Sequence, residues 1–450
     1  MPGSPPKAAV HFHSLGCPKN LLDTEVMLGS LAVHGYAIAE RIEDADVAVI
    51  NTCSFIESAR EESIQAVLEV AEQKEQGELR ALVVTGCLPQ RYGAELAREL
   101  PEVDVFVGTS SFHEIARILD DALAGRSRGV YVEAGRTHLY DDQSPRVLVG
   151  QGHTAYLKIA EGCDRSCSFC AIPAIRGRFQ SRTVRSVVSE AGQLASIGVR
   201  ELNLVAQDST AWGKDLPASM DGRPRLEAML RALDRVEGLD WIRLLYLYPT
   251  AITDELIEVL ASSRRVLPYV DVPLQHASDR ILALMQRGST GARQRRLVER
   301  LRQGIPGVTL RTTYMVGFPG EEEEDFARLC DFVRETRFDR VGVFRYSDEE
   351  GTAAHRLPGK VPRAVARERY HRLLEIQQEI MLEKLESSVG EVSPVLVDEV
   401  IGAGLAQARL PSQAPEIDGV VLLMGDVQPG DLVDARITGV REVDLEAELV

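Results

Sequence analysis

Four times within the first 125 residues, a short apolar run gives way to a longer stretch in which apolar positions recur every three or four residues. AVHFHS is followed by LLDTEVMLGSLAVHG, DVAVIN by ESAREESIQAVLEVAEQ, ALVVTG by QRYGAELAREL, and VDVFVG by FHEIARILDDALAG. Runs of the first kind suit strands and stretches of the second suit amphipathic helices. Their alternation predicts an open parallel sheet with helices on its faces. In such a sheet every strand ends on the same edge, the edge where ligands bind.

The polar, glycine-containing stretch GRTHLYDDQSPRVLVGQGH breaks the pattern and reads as part of a linker over 126–153. Strand-like and helical runs then resume: TAYLKIAEGC, ELNLVAQD, WIRLLYLYP, YVDVPLQ, TLRTTYMVGFPG and RVGVFRYS are six strand candidates separated by amphipathic segments. Six are too many for an accessory module and predict a partial or full α/β barrel over 154–388, with reactive groups at its carboxyl-terminal mouth. A long helix, RAVARERYHRLLEIQQEIMLEKLESSVG, closes this unit. Over 389–450, PVLVDEVI, GVVLLMGD and DLVDARITGV alternate apolar and polar positions between Gly and Pro turns, which predicts a small antiparallel β-barrel or sandwich. The fold class is α/β, with three units in this order.

Charge changes this picture more than overall composition does. The chain carries a formal net charge of -17, which argues against broad nonspecific binding to nucleic acid. The last unit holds twelve Asp and Glu against three Arg, a face that repels RNA and attracts a basic protein. The longest apolar runs are strand-sized, short of the roughly 20 residues of a membrane helix. The N-terminal MPGSPPKAAVHF has no apolar core of a secretory signal, so a cytoplasmic, membrane-free protein is expected.

Six of the seven cysteines form two sets of three. Cys163, Cys167 and Cys170 make a CxxxCxxC loop after the first barrel strand, with Phe169 before the last cysteine. Cys17, Cys53 and Cys87 span seventy residues, yet each ends a strand-like phrase, FHSLGC, VAVINTC or ALVVTGC, so one sheet edge would bring them together. A structural zinc site takes four ligands, and a bacterial ferredoxin cluster takes four cysteines. Three thiolates suit a 4Fe-4S cluster with one iron left open. The loop resembles that of the radical S-adenosylmethionine enzymes. With the three remote cysteines and the terminal β unit, which is similar to TRAM domains, nearly the whole chain resembles the methylthiotransferases of that superfamily. The wording LGCPKNLLDTE and INTCSFIESAREESI looks like the branch acting on an aspartate of small-subunit ribosomal protein 12, and the acidic last unit favours the same branch.

That resemblance implies two 4Fe-4S clusters, an auxiliary one on Cys17, Cys53 and Cys87 and a radical-generating one on Cys163, Cys167 and Cys170. S-adenosylmethionine would serve as radical source and methyl donor, and the product would be a β-methylthio-aspartate. An electron donor such as flavodoxin or ferredoxin is implied, and direct transfer RNA binding is not expected. A transfer RNA adenosine methylthiotransferase is the alternative within the family. A two-cluster electron-transfer or carrier protein is the alternative outside it.

Beyond the cysteines, Gln207 and Asp208 either approach the amino group of S-adenosylmethionine or cap a turn. His276 ends a strand at the mouth and either touches cofactor or substrate or satisfies backbone groups. Gly317 and Glu321, in VGFPGE, either line the cofactor or make a tight turn. Glu321 to Glu324 either form a binding patch or open a helix, whose dipole favours acids in the first turn. The five arginines of GARQRRLVERLR either touch ribosomal RNA or line a solvated helix face, Arg176, Arg178 and Arg182 are candidates for anionic ligands, and Cys330 is expected in the core. No catalytic acid or base is assigned.

Overall fold

Why the first unit reads so plainly is visible in its burial. In the computed structural model, which describes residues 6–126, 128–133, 135, 138–218 and 222–450, the strands Val47–Thr52 and Ala81–Gly86 are buried along their whole length. Parallel strands covered on both faces have no polar face to show. They lie at the centre of a six-stranded parallel sheet whose order places Ala9–Ser14 between Ala37–Ile38 and Val47–Thr52, followed by Ala81–Gly86, Val105–Gly108 and Gly129–Tyr131. The last of these strands belongs to the stretch 126–153 expected as a linker. The rest of that stretch is not a loose tether: the Arg146 guanidinium inserts between Glu25 at 2.7 Å and Glu190 at 2.7 Å, joining the helix Pro18–Val33 to the helix Val184–Ser196.

The central unit is a six-stranded partial barrel. Thr154–Lys158, Glu201–Val205 and Trp241–Leu244 form one parallel sheet, and Tyr269–Asp271, Thr309–Val316 and Arg340–Arg345 form another. An Ile242–Val266 bridge and the Leu247 N–H donating to the Asp271 carbonyl at 2.9 Å join the two. Alternate residues face outward to the helices: Leu202, Leu204, Ile242, Leu244, Val270 and Leu310 share the main apolar core. The opposite face sets Lys158, Asn203, Arg243, Asp271 and Arg311 among the apolar Tyr156, Val205, Trp241 and Tyr269, so charge pairs such as Arg243–Glu201 and Arg311–Asp271 lie inside the barrel. The predicted long helix is Arg363–Ser387.

Residues 392–449 close into a five-stranded barrel. It departs from the antiparallel expectation in one ladder: Val421–Met424 pairs with Asp444–Leu449 in parallel. This barrel docks on the amino-terminal ends of the central strands. Arg409 pairs with Glu201 and Asp398 at 2.7 Å each, Arg243 donates to the Pro411 carbonyl at 2.8 Å, and Tyr269 hydrogen-bonds Asp418. Two of the unit's twelve acids, Asp398 and Asp418, are thus spent on the interface. Among the described residues no helix is long and apolar enough to cross a membrane.

Candidate active site

The carboxyl edge of the first sheet faces the mouth of the partial barrel, and both cysteine sets lie in that junction. Cys17 caps the helix Pro18–Val33, and Cys87 is the first residue of the helix Cys87–Glu99. Thiolates at helix N-termini are favoured by the dipole. Asn20, fully buried, ties the three loops together: its Nδ2 donates to the Leu15 carbonyl at 3.2 Å and the Thr52 carbonyl at 2.9 Å, and its Oδ1 lies 3.5 Å from Cys87 Sγ. Ser63 holds Cys53 by its backbone, accepting from the N–H at 3.1 Å and donating to the carbonyl at 3.0 Å.

A glycine precedes three of the six cysteines, and each stands where a side chain would not fit. Gly16, Gly86 and Gly162 have φ of +92°, +101° and +80°. A Cβ on Gly16 would lie 2.8 Å from Cys53 Cβ, on Gly86 2.3 Å from Asn51 Oδ1, and on Gly162 2.2 Å from the Arg178 carbonyl oxygen. Space beside each cysteine is thus occupied by the rest of its own site.

The second set sits in a loop pinched at its base by an antiparallel pair, Ala160–Glu161 with Gln180–Ser181. Ser168 fastens the loop to the Leu284 and Met285 carbonyls at 2.7 and 3.1 Å. Arg287 donates to Cys167 Sγ at 3.3 Å, and the Arg165 N–H donates to Cys163 Sγ at 3.4 Å. Both guanidiniums stack on Tyr248, at 3.8 Å for Arg165 and 4.4 Å for Arg287.

The two sets meet directly. Cys87 packs in one buried cluster with Ala171, the neighbour of Cys170, and with Ile175. Arg176 donates to Cys87 Sγ at 3.4 Å and to Asp23 at 2.6 Å, and reaches Glu161 at 3.3 Å. Lys158 donates to the same two acids at 2.5 and 2.6 Å. Two cations and two anions, from both units, therefore form one buried knot between the cysteine sets. Burial alone would lower Lys158, but Asp23 and Glu161 outweigh it and hold its ammonium above the ordinary lysine value. On the opposite side of the mouth, Arg91 donates to Glu349 at 2.7 Å and to the Ser54 carbonyl at 3.0 Å.

The donor chemistry fits iron-sulfur clusters. Burial pushes the Cys87 and Cys170 thiols up to about 12 and Cys163 up to about 11. Such thiols stay neutral until a metal takes the proton's place. Among the described residues no three His, Cys, Asp or Glu side chains converge as ligands of one ion would. Corner irons of a cluster take one thiolate each, so their ligands stand apart.

Of the other expected residues, Phe169 packs beside Ile281, Met285 and Phe318. Gln207 donates to Glu161, and its Oε1 is buried without a partner. Asp208 accepts from Arg165 at 2.7 Å. His276 Nδ1 accepts from the Ser278 N–H at 3.0 Å, and its buried Nε2 faces Glu321 Oε2 at 3.6 Å, too far for a hydrogen bond. Glu321 has both oxygens engaged, by Arg369 at 2.7 Å and the Gly317 N–H at 2.9 Å, so it braces the Gly317 turn. Glu322 and Asp325 form a capping box on the helix Glu323–Thr336. Arg182 is spent on Glu190 and Ser186, Arg178 is exposed, and only Arg176 of the three reaches the site. Cys330 is in the core. Sequence reasoning missed Lys19, Asn20, Asp23, Lys158 and Arg287. Lys19, Asn20 and Asp23 lie in LGCPKNLLDTE beside a cysteine, and only Lys158 and Arg287 carried no such local signal.

Comparison with known proteins accounts for every unit. Residues 9–108 match the uncharacterized protein family UPF0004, 157–333 the radical SAM superfamily, and 389–450 the TRAM domain. The ribosomal protein uS12 methylthiotransferase RimO of Pelotomaculum thermopropionicum is 50% identical over 441 residues, covering 97% of this chain and 98% of that protein. RimO of Geobacter sulfurreducens is 46% identical over 447 residues, covering 99% of each. The solved radical S-adenosylmethionine methyltransferase TsrM from Kitasatospora setae, 16% identical, has a TM-score of 0.55 over 74% of this chain and 72% of its own, and so shares the fold. The chain belongs to the ribosomal protein uS12 methylthiotransferase family of radical S-adenosylmethionine enzymes.

Proposed function

We propose that this protein is a methylthiotransferase acting on the β-carbon of an aspartate in ribosomal protein uS12. The observation that carries the reading is the apposition of the two cysteine sets, with Cys87 packed against the residue next to Cys170. When bound, two 4Fe-4S clusters and S-adenosylmethionine supply the electron, the hydrogen-abstracting radical, the sulfur and the methyl group. The residues of the chain hold these groups face to face. Cys17, Cys53 and Cys87 hold the auxiliary cluster; Cys163, Cys167 and Cys170 hold the other. Arg287 and Arg165 place positive charge beside the second set, where it favours thiolate and the carboxylate of the amino acid cofactor. Gln207 Oε1 offers a buried acceptor for polar groups entering the mouth. The knot of Asp23, Lys158, Glu161 and Arg176 fixes the spacing of the two sets. A reductant of the flavodoxin or ferredoxin kind and a substrate presented free or within the ribosomal subunit complete this reading.

Mass spectrometry after anaerobic reconstitution with iron, sulfide, reductant and S-adenosylmethionine tests it, with uS12 and unmodified transfer RNA offered in parallel. One methylthio group on an aspartate of uS12 is expected. Modification of RNA alone would reassign the branch. Cys163→Ala should abolish 5'-deoxyadenosine formation, whereas Cys87→Ala should retain it and lose methylthio transfer.

A further inference from the structure

Lys19 is a cation in a place that stability does not explain. It is 8% exposed, two residues from Cys17, in the first turn of the helix Pro18–Val33. The positive end of a helix dipole disfavours a cation, and a buried charge without a partner is costly. Its Nζ lies 2.9 Å from the centre of the Tyr246 ring, a residue just beyond the strand Trp241–Leu244 at the barrel mouth. Tyr246 is itself held in a left-handed conformation, φ +63°, with its N–H donating to Asp271 Oδ2 at 3.0 Å. The ammonium thus stands between the auxiliary cysteines and the mouth.

Every acid around it is committed elsewhere. Asp271 gives its other oxygen to Arg311 at 3.0 Å. Glu161 is taken by Lys158, Arg176 and Gln207, and Asp23 by Lys158 and Arg176. Among the described residues no carboxylate forms an ion pair with Lys19, and the anion that most favours its ammonium is the Cys17 thiolate, which the auxiliary set already claims.

We propose that Lys19 binds the carboxylate of the substrate aspartate and thereby selects that residue. This rests on the functional reading above. The carbon to be modified is bonded directly to that carboxylate, so an anchor two residues from Cys17 holds the β-methylene between the two cysteine sets. Neither an asparagine nor an adenine base could supply the missing anion.

The test compares uS12 carrying aspartate with uS12 carrying asparagine at the modified position, each with the wild-type, Lys19→Met and Lys19→Arg full-length enzymes after reconstitution. Because each ratio of kcat/KM is taken on one enzyme preparation, loss of folded or loaded protein cancels. Wild type should favour aspartate by about 100-fold, the worth of a buried charge-assisted contact. Lys19→Met should bring the ratio to within about threefold, and Lys19→Arg should restore at least about tenfold. Iron per chain, the KM for S-adenosylmethionine and substrate-free 5'-deoxyadenosine formation should be unchanged in Lys19→Met. An aspartate preference equal in wild type and Lys19→Met overturns the proposal; lost iron alongside would assign Lys19 to the auxiliary cluster. A raised KM for S-adenosylmethionine with the preference intact overturns it in favour of the cofactor's own carboxylate. Wild-type enzyme that modifies no aspartate of uS12 overturns the functional reading, and this proposal with it.

Discussion

Replacing Asp23 by Asn keeps the shape of the side chain but removes one of two anions from the knot between the cysteine sets. Lys158 and Arg176 would then share Glu161 alone, and each of these four side chains is at most 4% exposed. An uncompensated charge so deeply buried costs about 3–5 kcal/mol. At roughly 2–4 °C per kcal/mol for a unit of this size, the melting transition should fall by about 6–20 °C. Anaerobic scanning calorimetry of the reconstituted enzyme measures this. Adding Lys158→Met restores one cation to one anion, so the double variant should recover at least about half of the loss instead of adding to it. Asp23 lies on the helix that Cys17 caps, so Asp23→Asn should also raise the 5'-deoxyadenosine formed per methylthio product. A transition within about 1 °C of wild type, or a strictly additive double variant, would refute the charge-balance argument.

Other outcomes follow from the same geometry. Gly317→Ala would place a Cβ 2.5 Å from Ala366 Cβ at φ +76°; a loss of about 2 kcal/mol or more is expected in thermal unfolding, and Ala366→Gly should relieve only the steric part. Cys330→Ala should keep full iron content, whereas Cys87→Ala should lower it, as colorimetric iron assay would show. His138 stacks on His113 at 4.0 Å, and burial, then the charge of His113, holds it down at about 4 against an ordinary 6.5. Its contribution to stability should therefore be complete above pH 6.5 and be lost as pH falls toward 4. The difference in melting temperature between wild type and His138→Phe across that window measures the loss.

Fold was more legible in this chain than the site, for a physical reason. Strands such as Val47–Thr52 are buried on both faces and announce themselves as unbroken apolar runs, and three cysteines at strand ends converge because parallel strands share an edge. Charge pairing carries no such period: Asp23 and Lys158 are 135 positions apart, and although Asp23 lies in LGCPKNLLDTE, nothing in that phrase points to Lys158 as its partner. Arg176, Arg178 and Arg182 look alike along the chain, yet the short helix Ile172–Arg176 ends at the first, the second turns to solvent, and the third is drawn to Glu190. The parallel ladder in the last barrel escaped notice because alternation reports which face is buried and not which way a neighbour runs.

The helix Arg363–Ser387 has one end at the catalytic mouth, where Ala366 meets Gly317, and places Leu385 in the core of the last barrel. Nineteen residues of helix separate those two points, about 28 Å at 1.5 Å per residue. The acidic barrel therefore stands at a fixed reach from the workplace. If its exposed acids attract a basic substrate, whole uS12 should be modified with a higher kcat/KM than a short peptide around the target aspartate, and neutralising those acids should remove the difference.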